Sequence, residues 1–264
     1  MIDIGRTRRR TAGVVLVGLM AALVSGCSLL ATDPPGLRRG VDVPSVPAHL
    51  SSLPLGAPAL PPAGSGGYAF MMTHVDGSPV AWDPCRAVHY VIRPDGAPAG
   101  GDQLVSWAFA QISAATGLSF VDDGAINEAP NTERPSFQPD RYGDRWAPVL
   151  VAWSNPVEWP PLANGILGRA GPAPFGFVGQ DNERFVSGQA VFNGPALALQ
   201  LSTGDDNKAR AVLLHELGHL VGLGHVTDPF QVMFASNAYP LPSYRSGDRR
   251  GLAMLGKGPC FTDY

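Results

Sequence analysis

Three of the six histidines in this chain lie within one stretch of eleven residues, HELGHLVGLGH, at His215, His219 and His225. The preceding residues predict an α-helix from Asn207 to Val221. Residues four apart project from one face of a helix, so His215 and His219 can bind one ion. If the helix continued, it would carry His225 about 15 Å along its axis from His215. The helix must therefore end before His225, and Gly222 can end it because glycine adopts the left-handed conformation.

Three neutral imidazoles that leave one position open are typical of a catalytic zinc site. Water on such an ion has a pKa of about 7, and Glu216, directly after His215, is placed to accept its proton and pass it to the departing amine of a cleaved peptide. A lone histidine on an apolar helix is usually a packed core residue, but the full pattern arises by chance in about one chain in 10⁴ or fewer. We expect no site at the scattered histidines, which are His49, His74 and His89.

The complete pattern, HExxHxxGxxH, resembles the zinc-binding motif of the metzincin metallopeptidases. That family has a tight turn with a methionine beneath the metal, and Met233, eight residues after the last histidine, resembles it. The sequences GHVTDPFQVMF and SGDRRGLAMLG resemble the matrixin branch, in particular its bacterial secreted members, and a short final helix at 246–255 fits that branch. The resemblance extends from about Tyr68 to Cys260.

The resemblance implies an α+β fold with a twisted mixed sheet, one antiparallel edge strand, an active-site helix and a small C-terminal subdomain. The strand from Phe185 to Phe192 would be that edge, and a substrate peptide would add to it as another strand. Residues 235–239 would line the pocket for the side chain after the cleaved bond. The implied function is a zinc-dependent endopeptidase with Glu216 as general base.

The chain departs from the family pattern in several places. Ala235 stands where some branches have a tyrosine as an extra metal ligand. No histidine lies between His89 and His215, so the structural zinc of animal matrixins is not expected, and no cysteine-switch propeptide is visible. Calcium binding stays open and unassigned, because isolated aspartates are usually only solvated; the candidates are Asp122, Asp123, Asp181 and Asp228.

The N-terminus predicts an exported protein. Four arginines precede an uncharged apolar run from Thr11 to Ser25, which is typical of a signal peptide and short of the roughly 20 residues that span a bilayer. The run ends in VSGC, which resembles a bacterial lipobox, so Cys27 would carry a lipid that anchors the protein outside the cell membrane. An ordinary signal peptide, which would give a secreted protein, is the alternative.

We therefore expect a signal peptide at 1–26, a proline- and glycine-rich tether at 27–67 and a peptidase domain at 68–264. A small propeptide is the alternative for the middle segment. Cys85 and Cys260 are the two remaining cysteines, and in an oxidising exterior they favour a disulfide over two free thiols. The formal charge of −3 gives no reason to expect nucleic-acid binding. The expected partners are a protein or peptide substrate and, through the lipid, a membrane, and we expect a monomer.

Apolar patterns predict the framework that would carry the helix. A strand, a helix and a second strand in succession indicate a right-handed crossover and a parallel pair. The predicted elements are strands at 87–93, 118–121, 148–153 and 184–192 and a helix at 103–115. Two segments are predicted to be irregular, a surface loop at 122–147 and the glycine-rich stretch at 164–179.

Two other functions are compatible with the sequence. One is a lipid-anchored, catalytically silent binding protein in which the loop at 122–147 covers the cleft. The other is a hydrolase of a non-protein amide such as a cell-wall bridge, which would use the same zinc chemistry. The presence of Glu216 and of all three histidines favours the endopeptidase.

Overall fold

The structure is a computed structural model that describes residues 43–47, 50–176, 182–204, 206–236 and 240–262. The predicted signal peptide, Cys27, His49, Asp181 and residues 237–239 lie outside these ranges. Within them, no helix has both the length and the apolar character needed to cross a membrane.

The described chain has an α+β fold built on one mixed sheet of five strands, with a separate two-stranded pair. The strands are β1 (Ala69–Phe70), β2 (Val88–Arg93), β3 (Phe120–Ala125), β4 (Val149–Ser154), β5 (Gly168–Phe175), β6 (Arg184–Asn193) and β7 (Leu223–Gly224). The helices are α1 (Gly101–Thr116), α2 (Pro139–Tyr142), α3 (Gly194–Leu201), α4 (Asn207–Val221) and α5 (Ser246–Leu255), and a 3₁₀ turn spans Pro160–Leu162.

The five-stranded sheet has the order β3-β2-β4-β6-β5. The crossover from β2 through α1 to β3 gives a parallel pair, as the sequence predicts. Every residue of β4 is buried, because β4 lies in the middle of the sheet and both of its faces are covered. The larger core cluster joins one face of the sheet to the helices α1, α4 and α5, and a smaller cluster covers the other face.

The identity of the antiparallel edge strand is the main correction to the sequence-based prediction. The strand predicted at Phe185 to Phe192 forms within β6, but β6 pairs in parallel with β4 and lies inside the sheet. The antiparallel edge is β5, which falls in the segment predicted to be irregular. Its sequence, GRAGPAPF, is poor in residues that favour strands, and an edge position accommodates proline because one side of the strand has no partner.

Residues 50–67, within the predicted tether, form no helix or strand but bind the body of the protein through hydrogen bonds. The backbone N–H of Leu55 donates to the carbonyl of Pro84, and that of Ala59 donates to Ala114. Farther along, the Arg250 guanidinium donates to the carbonyl oxygens of Gly64 and Gly66. This docked segment brings the chain across the start of α5 before β1 begins.

Candidate metal centre

The structure brings His215, His219 and His225 together at one point. Their Nε2 atoms lie 3.1 Å from one another in all three pairs. Three nitrogens bound to one zinc ion at about 2.0 Å in tetrahedral geometry would lie at a similar spacing. The donor set and its spacing therefore fit zinc.

The turn that returns His225 begins where the sequence predicts it. α4 ends at Gly222, which has φ of 115°. A side chain is also excluded there by packing, since a Cβ would lie 2.9 Å from the ring of Phe185 and 3.0 Å from Leu255. Both the left-handed conformation and the close packing require glycine at this position.

Hydrogen bonds to the backbone orient two of the three imidazoles. His215 Nδ1 lies 2.8 Å from the carbonyl oxygen of Val232, and His219 Nδ1 lies 2.7 Å from that of Leu223. A carbonyl only accepts, so each Nδ1 carries the proton and each Nε2 presents a lone pair. Lone pairs that face one another at 3.1 Å cannot bond among themselves, and a cation between them would satisfy them.

The turn that contains Met233 packs against α4 and contacts the first histidine through Val232. Met233 is buried, and a Cβ on Gly218 of α4 would lie 2.5 Å from its sulfur. Gly218 therefore lets the helix pack closely against this turn. The sequence alone does not reveal this reason for a glycine at position 218. The backbone N–H of Val226 donates to the Met233 carbonyl and joins this turn to the loop that carries His225.

Asp248, at the start of α5, holds the same turn in place. Its buried carboxyl group accepts hydrogen bonds from the backbone N–H groups of Val232, Met233 and Arg245 at 2.8, 3.2 and 2.9 Å. Burial raises the pKa of Asp248, and these donors oppose the rise. Because the Val232 carbonyl orients His215, Asp248 supports a histidine that it does not touch.

The side chain of Glu216 projects from α4 toward the edge strand β5. It is buried, and the backbone N–H of Ala170 donates to its carboxyl group. Burial raises the pKa of Glu216 to about 8, against the opposing effects of the Ala170 bond and the positive charge of Arg169. Burial, with a smaller effect of His215, also lowers the pKa of His219 to about 4. Without metal, the site therefore favours a neutral glutamic acid beside a neutral histidine.

An open cleft of about 540 Å³ gives access to these groups. Its walls are the segment from Gly165 to Ala170 on one side and the three histidines with Glu216 on the other, and Val212, Met71 and Ala235 also line it. Ala235 belongs to the segment predicted to form a substrate pocket, the rest of which is only partly described. The loop predicted at 122–147 contributes no residue to this cleft.

The remaining predicted residues lie elsewhere. Cys85 and Cys260 are at disulfide distance, with Cα atoms 5.4 Å apart. His89 pairs with Asp123, and His74 is not part of the histidine cluster. Among the described calcium candidates, Asp122 and Asp228 accept hydrogen bonds from nearby backbone N–H groups, and no acidic cluster suited to a metal occurs in the described ranges.

Sequence reasoning missed the contributions of Gly168, Arg169 and Asp248. A Cβ on Gly168 would lie 2.7 Å from Glu216 Cγ, so this glycine makes room for the glutamate. The segment GILGRA gave no periodic signal that would place it at the site. The sequence SGDRR does predict a helix start, but it gives no sign that the aspartate reaches the turn containing Met233.

No protein-family model matches the chain, and no curated protein matches it. The case for a function therefore rests on the motif and on the geometry of the site.

Proposed function

We propose that this protein is a zinc-dependent endopeptidase of the metzincin type, with a matrixin-like domain. The observation that carries the proposal is the convergence of the His215, His219 and His225 Nε2 atoms, 3.1 Å apart, beside a buried glutamate in an open cleft. The antiparallel edge strand next to Glu216 also fits this type of enzyme, because it offers a backbone to an extended peptide.

In this proposal the three histidines hold one zinc ion. Bound there, zinc would act as a Lewis acid that polarises the peptide carbonyl and makes water more acidic. Glu216 would take the proton from the attacking water and deliver it to the nitrogen of the departing amine. The Ala170 N–H keeps the carboxyl group in place for both transfers.

A peptide substrate would lie in the cleft as an additional strand beside β5. Pro172 has no backbone N–H to donate to β6. It is accommodated because the backbone nitrogen at this position points away from β6, toward the free edge of the sheet. Ala170 lies two residues earlier and has the same orientation, and its N–H reaches Glu216 instead of β6. The substrate backbone would thus lie close to the catalytic glutamate.

The predicted signal peptide at 1–26 indicates where the protein would act. We propose that the protein is exported and anchored by a lipid on Cys27, so that it acts on proteins or peptides outside the cell membrane. A secreted form without lipid is the alternative. Labelling cells with a radioactive fatty acid and comparing wild type with Cys27→Ser distinguishes the two, because only the lipidated form incorporates the label at that cysteine.

The test of the enzyme uses the full chain with its zinc content measured. We expect about one zinc ion per chain in wild type and in Glu216→Gln, and cleavage of an unfolded protein by wild type alone. Glu133→Gln, at an exposed position that does not line the cleft, is the matched control and should cleave normally. A zinc-loaded wild type that cuts neither proteins nor peptide libraries would refute the proposal. Cleavage of cell-wall amides alone would redirect it to the non-protein substrate.

A further inference from the structure

The edge strand β5 separates two cavities. On the side of α4 is the cleft with Glu216, and on the other side is a cavity of about 400 Å³ whose lining includes Arg169, Gly171, Thr132 and Gln189. We call this second space the upper cavity. Its position beside the proposed substrate strand makes it a candidate for contact with substrate side chains.

Alternation along β5 determines which residues face each space. A side chain at Gly168 would point toward Glu216, and Ala170 packs against the core cluster that contains α4, so both residues face α4. The side chain of Arg169 and the open side of Gly171 therefore face the upper cavity, although Arg169 and Ala170 lie on the border between the two spaces and line both. A Cβ on Gly171 would meet no atom within 4 Å, which shows that the space beside the strand is open.

Arg169 gives this cavity its charge. Its Nε donates to the carbonyl of Pro161 at 2.9 Å, and its side chain has no carboxylate partner among the described residues. The other arginine at the cavity, Arg134, is neutralised by two hydrogen bonds to Glu128 at 2.9 and 3.0 Å. Arg169 therefore remains an exposed positive charge that forms no ion pair within the part of the chain that the structure describes, although its charge acts on the Glu216 carboxyl group.

We infer that Arg169 selects substrates with an aspartate or glutamate close to the cleaved bond. A peptide added to β5 would direct alternate side chains to opposite faces, so those on the upper side would pass Arg169. Arg169 lies between Gly168 and Ala170, both of which contact Glu216, so the selected position is within about two residues of the cleaved bond. This inference rests on the proposed endopeptidase function.

The test compares quenched fluorescent peptides that are cleaved at one fixed bond. Glutamate, glutamine or lysine is placed in turn at each of the three positions on either side of that bond. The full-length, zinc-loaded wild type is compared with Arg169→Ala, Arg169→Glu and Arg169→Lys. Arg141→Ala, which removes an exposed arginine from α2, is the matched control.

At the one peptide position that passes Arg169, we expect a preference for glutamate. Wild type should cleave the glutamate peptide at least about threefold better, by kcat/KM, than the glutamine peptide. That ratio should fall to about one in Arg169→Ala, persist in part in Arg169→Lys and reverse in favour of lysine in Arg169→Glu. Arg141→Ala should keep the wild-type ratio. Added salt should reduce the wild-type preference, because an exposed pair is screened.

An equal change for every peptide in Arg169→Ala would overturn the inference, since it would mean that Arg169 acts only through Glu216. The absence of a glutamate preference in wild type would also overturn it. Both results leave the endopeptidase proposal intact, because cleavage itself is observed. Failure of zinc-loaded wild type to cleave any peptide would instead refute the proposed function, and the inference with it. If Arg169→Ala loses its fold or its zinc, the comparison between Arg169→Lys and Arg169→Glu decides.

Discussion

Gly168 offers a direct way to displace the proposed general base without touching a zinc ligand. In Gly168→Ala the new Cβ would lie 2.7 Å from Glu216 Cγ and 3.2 Å from its carboxyl carbon and Oε1. Carbon atoms in contact prefer about 3.5–4.0 Å, so the two residues must separate by roughly 1 Å. The atoms that the new Cβ meets belong to the Glu216 side chain, whereas β5 is held by its pairing with β6, and therefore we expect the glutamate side chain to move.

A displacement of this size predicts a loss of kcat with little loss of zinc. Misplacing a catalytic group by about 1 Å can cost up to about 100-fold in rate, so we expect kcat/KM to fall by about 10- to 100-fold. That range corresponds to about 1.4–2.7 kcal/mol of transition-state stabilisation. His215 and His219 are oriented by the carbonyl groups of Val232 and Leu223 and not by β5, so the zinc dissociation constant should change by less than about threefold.

Peptide kinetics, a competition assay with a zinc chelator and thermal unfolding together test this reasoning. Gly171→Ala is the matched control, because it lies in the same strand and its Cβ would meet nothing within 4 Å. The control should retain zinc and kcat, because its added methyl group leaves Glu216 in place, and any effect of that group on substrates at the upper cavity should appear in KM. Unchanged kcat/KM in Gly168→Ala would refute the idea that β5 sets the position of Glu216. A parallel loss of zinc would show that the substitution disturbs the metal site as a whole.

Three further predictions follow from the contacts around the site. Asp248→Asn should lower the free energy of unfolding by about 1.5–3 kcal/mol, because one of its backbone donors loses a charged acceptor. Asp140→Asn, at an exposed position, should leave that free energy unchanged, and urea denaturation measures both variants. In the metal-free chain the folded-state pKa of His219, about 4, is below its unfolded value of 6.5, so His219 should reduce stability by up to about 3 kcal/mol as the pH falls from 6.5 to 4. Denaturation of chelator-treated protein at both pH values checks this, and an equal pH dependence in His219→Asn would contradict it. A chain that begins at Tyr68 should unfold at a lower temperature and bind zinc more weakly than one that begins at Leu50, because it loses the carbonyl groups that bind Arg250, and equal values would contradict that role.

The sequence predicts the parts of the site that are local in the chain. Helical periodicity, the spacing of His215 and His219 and the glycine at 222 each constrain a few neighbouring residues, and α4 has the predicted bounds. The cluster of three Nε2 atoms follows from that local turn. Short-range stereochemistry is sufficient to predict these features, and no distant contact has to be known.

The edge strand could not be predicted in the same way. Proline and glycine normally argue against a strand, and β5 contains two of each. It forms because the long β6 offers a partner along its length and because α4 packs against it. These are tertiary contacts between segments that are distant in the sequence, and they override the weak local preference.

The orientation of the histidines is likewise set by residues outside the motif. His215 is turned by the Val232 carbonyl, and the backbone at Val232 is bound by Asp248. Gln231 joins the same structure, since its side-chain Oε1 accepts the backbone N–H groups of Gly247 and Asp248 at the start of α5. The same side chain closely approaches Gly66 of the docked segment. A contiguous set of contacts thus connects residues 64–66, α5 and the first histidine. The motif supplies the donor atoms and brings them together, and these outside contacts fix the orientation of His215, so changes outside the motif should affect zinc affinity.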